Sequence, residues 1–168
     1  MRALDDECGA GYSFGRLRTA SIGSLYMAGF AQAGPPHAGL IIVSNDKAGD
    51  FVHIRISEGV WKLDTRQQNI VQSISLTTLL KIHDVSAGAI TRAQLQEAAQ
   101  HVPVPSGGES GECLPWVLRV VERLDAMGLV NLSSSAELGE EFTTFSAGNR
   151  SYAQRDKYPN VKTSAHCT

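Results

Sequence analysis

The sequence predicts an α+β fold in which an antiparallel sheet packs against a long helix. Two observations support this prediction. Short β-branched runs separated by turn residues follow one another between residues 37 and 63. An amphipathic segment comes later, from about Cys113 to Met127, with apolar residues at helical spacing. The 168 residues are enough for one domain with a buried core.

The predicted centre of the sheet is an antiparallel meander of three strands. Each strand is rich in β-branched or aromatic residues, and Gly, Asn, Asp or Ser occupy the turns between them. Residues 16–30 are expected to supply one or two more strands, whereas residues 71–80 fit either a strand or a short helix. The three strands of the meander are residues 37–43, 51–56 and 60–63.

Two helices are predicted after the strands. Thr91 and Gln94 have the spacing of a capping box, which begins the first helix. Pro115 controls where the second helix begins, because proline is tolerated in a helix only within the first turn. The second helix therefore starts near Glu112 and places Cys113 at its first turn.

The domain is predicted to span residues 1–132, with its core at about 16–130. Beyond residue 130 the chain becomes polar and has few large apolar residues. Residues 133–168 are therefore expected to form a tail that drapes over the domain or is partly disordered.

Charge and composition exclude several functional classes. The formal net charge is −2, without the basic excess that phosphate binding requires, so nucleic acid is not an expected partner. No apolar run is long enough to span a bilayer, so no transmembrane segment is expected. Three acidic residues near the N-terminus do not suit a targeting peptide, which favours a cytoplasmic location. The oligomeric state stays open.

Cysteine spacing predicts neither disulfides nor a metal site. Cys8, Cys113 and Cys167 are an odd and widely separated set, and no CxxC or CxH spacing is present. We expect no metal and no cofactor. The expected ligand is a hydrophobic small molecule.

Cys113 is the candidate nucleophile. Free N–H groups and the positive end of the helix dipole favour a thiolate at a helix start, and a glycine-rich loop precedes the residue. Glu112 opposes thiolate formation because it places a negative charge beside the sulfur. A buried, inert cysteine that fills space in the core is the alternative.

His37 and His53 are the candidate partners of this thiol. They lie on consecutive predicted strands, where two such residues can be neighbours on one face of the sheet. His37 would act as the general base, and His53 would hold it in the correct tautomer. Each histidine taken alone is equally consistent with a structural role.

The order of these residues resembles that of the circularly permuted papain-like proteins. The relevant stretches are residues 37–42, 52–54 and 112–117, in which a histidine opens a strand, a second follows on the next strand, and a cysteine heads a later helix. The resemblance is to the lecithin:retinol acyltransferase-like branch of the NlpC/P60 superfamily, and it implies acyl transfer or hydrolysis through a thioacyl intermediate. The pattern is also similar to small fungal proteins encoded with secondary-metabolite pathways.

Three functions follow from these observations. The first is a thiol acyltransferase or hydrolase with Cys113, His37 and His53 as catalytic residues. The second is a cyclase or isomerase, pericyclic or Diels–Alder-type, that uses the same apolar cleft without a nucleophile. The third is a non-catalytic interaction protein. In the enzymes, the cleft residues expected to contact substrate are Trp61, Trp116 and Glu112.

Overall fold

The computed structural model describes residues 19–168, so the acidic beginning of the chain and Cys8 lie outside the described residues. The fold is α+β, with one six-stranded sheet and three α-helices among the described residues. The elements are β1 (Leu25–Phe30), β2 (His37–Val43), β3 (Ala48–Ser57), β4 (Val60–Asn69), β5 (Leu76–His83), α1 (Arg92–Gln100), α2 (Cys113–Ala126), α3 (Ser135–Ala147) and β6 (Asn160–Thr163), with 3₁₀ turns at Val85–Ala87 and Arg150–Tyr152.

The strand order across the sheet is β4-β3-β2-β1-β5-β6. All neighbouring strands are antiparallel except β5 and β6, which are parallel. The predicted meander is therefore confirmed as β2, β3 and β4. β4 continues six residues past the predicted end at Leu63, through polar residues, because an edge strand can direct polar side chains to solvent.

Alternating side chains give the sheet two different faces. On one face, residues such as Leu40 and Ile54 form a core with all three helices. On the other face, Phe30 and Phe51 belong to a smaller apolar cluster that contains no helix residue. His37 and His53 lie on this second face, since His37 alternates with Ala38 and His53 with Ile54 along their strands. We call it the histidine face, and the first the helix face.

Helix positions follow the local sequence signals. Both hydrogen bonds of the predicted capping box are present, with Thr91 and Gln94 satisfying each other's backbone N–H groups. α2 begins at Cys113, as Pro115 requires, and Gly128 follows it with a φ of 74°. The prediction that the sheet packs against one long helix needs correction, because three helices of 9, 14 and 13 residues, including the two predicted ones, share the helix face.

Residues 133–168 are placed differently from the predicted tail. They form α3 and then β6, which extends the sheet beside β5. The C-terminus is tied back by two backbone hydrogen bonds between Asn131 and Thr168, of 2.6 and 3.0 Å. This segment has few large apolar residues. They are enough to hold it against the domain because Leu138 and Phe142 direct their side chains into the core of the helix face.

Among residues 19–168, no helix has both the length and the apolar composition needed to cross a membrane.

Phe142 provides a test of this placement. Its side chain is 2% exposed and packs in the core of the helix face, so Phe142→Ala should lower the free energy of unfolding by about 3–5 kcal/mol. Phe145→Ala is the matched control, since Phe145 lies on the same helix but is only partly buried. It should lower the free energy of unfolding clearly less. Urea unfolding monitored by circular dichroism measures both. A loss below about 1 kcal/mol for Phe142→Ala would mean that α3 does not contribute to the core.

Candidate functional site

Three polar side chains form a continuous hydrogen-bonded triad on the histidine face. His53 lies at its centre, with Nδ1 2.7 Å from Nε2 of His37 and Nε2 2.9 Å from a carboxylate oxygen of Asp64. The side chain of His53 is buried, whereas Asp64 is 26% exposed and also lies 3.6 Å from the guanidinium of Arg55. The triad therefore leads from a partly exposed carboxylate, through a buried imidazole, to the partly exposed ring of His37.

The β3–β4 turn places Asp64 opposite His53. Glu58 and Gly59 have φ values of 54° and 78°, and a two-residue turn with two positive φ angles matches the twist of a hairpin. That turn pairs Ser57 with Val60 and, by counting back along both strands, His53 with Asp64. The register of the hairpin thus determines the partner of the buried imidazole.

Gly39 makes space for the triad on β2. A Cβ atom at this position would lie 2.2 Å from the Phe51 ring and 3.0 Å from Cβ of His53. The absent side chain allows the Phe51 and His53 rings to pack at 4.5 Å between centroids. The ring centroid of Phe30 lies 5.2 Å from that of Phe51 and 6.1 Å from that of His37. Aromatic rings therefore flank the two imidazoles.

The hydrogen bonds set the tautomers of both histidines. A carboxylate only accepts, so His53 carries its proton on Nε2 and donates it to Asp64. A neutral His53 then has an unprotonated Nδ1, which accepts the Nε2 proton of His37. The remaining nitrogen of His37, Nδ1, keeps its lone pair. The triad therefore orients a neutral imidazole with one basic nitrogen available.

Burial keeps both imidazoles neutral. The pKa of His37 is lowered from 6.5 to about 4, first by burial and then by the charges of His53 and Arg66. The pKa of His53 is also lowered, with burial again the largest cause, while the hydrogen bond and charge of Asp64 act in the opposite direction. Both rings are thus in the neutral form at neutral pH.

The structure does not bring Cys113 to the histidines. Cys113 is at the predicted first position of α2, where it belongs to the apolar core of the helix face. His37 and His53 point to the other face, so the sheet lies between them and the sulfur. The prediction that the three residues form one constellation needs correction, because strand alternation separates them. This leaves the cysteine in the space-filling environment of the alternative interpretation.

The other predicted contacts to substrate also lie away from the triad. Trp61 and Trp116 are buried in the core of the helix face, and their indole N–H groups donate to the carbonyl oxygens of Glu109 and Val102. Glu112 is the N-cap residue of α2 and makes no side-chain capping bond. The expected cleft between sheet and helix is filled by this core. Trp61, Trp116 and Glu112 therefore share no surface with His37.

Sequence reasoning missed Asp64 and Arg66. Both lie in the part of β4 beyond the predicted end of that strand. Arg66 lies over the Phe51 ring, with 5.6 Å from Cζ to the ring centroid. Recognition of the two-residue turn at Glu58 and Gly59 would have identified Asp64 as the partner of His53. Such a turn determines which residues of the two strands pair.

Residues 25–131 match DUF6540, a family of unknown function. This is more than half of the chain. The protein belongs to the DUF6540 family. The match begins at β1 and ends just after α2, so it includes the whole triad as well as Cys113. No curated protein and no solved structure matches the chain.

The lowered pKa values predict how stability depends on pH. The folded state disfavours protonation of His37, whereas the unfolded chain takes up that proton below about pH 6.5. The free energy of unfolding should therefore fall as pH decreases from about 6.5 to 4. His37→Gln should show less of this fall, and urea unfolding across that range measures it. An unchanged slope in His37→Gln would contradict the assignment of this titration to His37.

Asp64→Asn tests the electrostatic role of the carboxylate. Because the hydrogen bond and charge of Asp64 raise the pKa of His53, the variant should lower that pKa further. Imidazole ¹⁵N chemical shifts recorded during a pH titration report both the pKa and the tautomer. Glu58→Gln is the control, since it removes an exposed carboxylate of the same hairpin that pairs with Lys62. A raised or unchanged pKa in Asp64→Asn would contradict the assigned geometry.

Proposed function

We propose that this protein is a small-molecule isomerase or cyclase in which His37 moves a proton and no covalent intermediate forms. The observation that carries the proposal is the hydrogen-bonded triad of Asp64, His53 and His37. A carboxylate that orients one imidazole, which in turn orients a second, is more than strand packing requires. The triad presents a neutral nitrogen in a fixed direction at a partly exposed position.

The chemistry follows from the charges near His37. Its Nδ1 would take a proton from an acidic C–H bond of the substrate, and the electrons of that bond would move onto a neighbouring carbonyl oxygen. The cationic group of Arg66 is close enough to lower the pKa of His37, and it would favour the developing oxyanion. Phe30 and Phe51 are buried beside the imidazoles, so they hold the His37 ring in an apolar environment.

The lowered pKa keeps His37 in the neutral form that can accept a proton at neutral pH. Once protonated, an imidazole whose pKa is about 4 gives its proton back readily, so His37 would return it to a second atom of the same substrate. Isomerisation and cyclisation need no net proton and no nucleophile. His53 and Asp64 would stabilise the transient imidazolium, since a carboxylate at the end of the triad favours positive charge.

A permuted papain-like thiol enzyme is the competing proposal. It would require the sulfur of Cys113 to reach a histidine, and the two groups lie on opposite faces of the sheet. A non-catalytic interaction protein is the third possibility. It would not need a basic nitrogen at His37. The three proposals therefore differ in whether the wild type is catalytically active and, if it is, in which single substitutions remove that activity.

Elimination of 5-nitrobenzisoxazole offers a direct assay, because removal of its C–H proton by a base opens the ring to a coloured phenolate. The wild type should accelerate this reaction above buffer. His37→Ala should lose most of the acceleration, by about 10²-fold, as expected for loss of a general base. Asp64→Asn should retain part of it, and Cys113→Ala should retain all of it.

The outcomes separate the proposals, provided that circular dichroism shows each variant to be folded. Loss of activity in Cys113→Ala as well as in His37→Ala would favour the thiol enzyme, in which His37 is the general base of the sulfur. No acceleration by the wild type would contradict an accessible base at His37 and favour the interaction protein. Iodoacetamide labelling of Cys113 in the folded protein should be slow, since the residue is buried.

A further inference from the structure

A pocket outside the triad lies where the β1–β2 loop meets the C-terminal end of α3. Its volume is about 340 Å³, and none of its lining residues belongs to the triad. The lining is mostly apolar. The residues on which the inference depends are Ala31, Gln32, Pro35, Pro36, Ala147 and Arg150.

The loop side of this pocket is held in one shape. Pro35 and Pro36 restrict their own backbone, and Gly34 provides the positive φ of 86° that the turn before them needs. The side-chain amide of Gln32 donates to the carbonyl of Pro35 at 2.8 Å, which closes the loop on itself. The space therefore exists before any ligand arrives, which lowers the cost of ordering on binding.

Arg150 is the charged residue that lines this pocket, and most of its hydrogen-bond donors are unused. The hydroxyl of Thr77 donates to the carbonyl of Gly29, and that of Ser146 donates to the carbonyl of Thr143. Arg150 has five N–H donors and gives one long bond of 3.4 Å to the carbonyl of Gln32. Among the described residues no carboxylate lies within ion-pair distance of its guanidinium.

We infer that this pocket binds an apolar small molecule carrying a carboxylate, with the apolar part inside and the carboxylate on Arg150. A planar guanidinium matches a carboxylate with two parallel hydrogen bonds, whereas a cationic ligand would be repelled. An apolar cavity of about 150 Å³ holds benzene, so 340 Å³ suits an apolar body about twice that size. This site does not depend on proton transfer by His37.

The approach of the carboxylate is restricted by the end of α3. Backbone carbonyls at a helix C-terminus are partly negative, and α3 ends at Ala147 on the pocket side. The carboxylate therefore lies on the solvent side of Arg150, and the apolar body contacts Ala31, Pro36 and Ala147.

Binding of 2-naphthoate, compared with its uncharged analogue 2-naphthamide, tests both parts of the inference by fluorescence titration. The wild type should bind 2-naphthoate saturably and about tenfold or more tighter than 2-naphthamide, because only the carboxylate pairs with Arg150. Arg150→Gln should remove that preference and leave 2-naphthamide binding unchanged. Ala147→Phe should abolish binding of both by filling the pocket.

Arg155→Gln is the matched control, because it removes an exposed arginine of the following loop that does not line this pocket. It should bind both probes as the wild type does. Ala147 and Arg150 are both exposed, so their substitution should leave the protein folded. Thermal unfolding of each variant checks this. The inference is overturned if the wild type binds neither probe saturably, if it does not prefer the acid, or if Ala147→Phe still binds.

Discussion

The register between β3 and β4 is the constraint on which the rest of this structure depends. A two-residue turn at Glu58 and Gly59 pairs each residue of one strand with a single residue of the other. Because side chains alternate across a sheet, a shift of one residue would move His53 into the core of the helix face and remove it from Asp64. The same turn therefore determines both the packing of the sheet and the formation of the triad.

The triad is compatible with burial because each buried polar atom has a partner. An unpaired imidazole nitrogen inside an apolar cluster would cost about 1–3 kcal/mol. His53 avoids this cost by donating to Asp64 and accepting from His37. The carboxylate itself lies on the edge strand, where it remains partly exposed and keeps contact with Arg55. An edge position thus allows a charged group to orient a buried one without being fully desolvated.

The two proposed sites lie differently relative to the part of the chain that matches the family. The triad lies wholly within the part of the chain that belongs to DUF6540. The pocket takes Arg150 and Ala147 from beyond that part, although its loop lies inside it. The proposed base at His37 therefore lies within the family match, whereas the proposed ligand contact at Arg150 lies outside it. Ligand selection at Arg150 would be a property of the segment that follows.

Local chemistry made much of the fold predictable. Alternation and turn residues located β2 and β3, Pro115 located the start of α2, and the Thr91 capping box located α1. The signals failed where contacts with distant residues decide the structure. The segment that forms α3 and β6 resembled a polar tail because it has only a few large apolar side chains. Those side chains stabilise it only by packing against a core that other parts of the chain form.

The sequence by itself determined β2, β3 and the start of β4, the starts of α1 and α2, and the closeness of His37 to His53. Each of these depends on neighbours in the chain or on one short connection. Only the tertiary structure decided that Cys113 lies across the sheet from both histidines and that Asp64 completes the triad. The physical reason is that the face on which a side chain lies depends on strand register and helix packing, which join residues far apart in the chain.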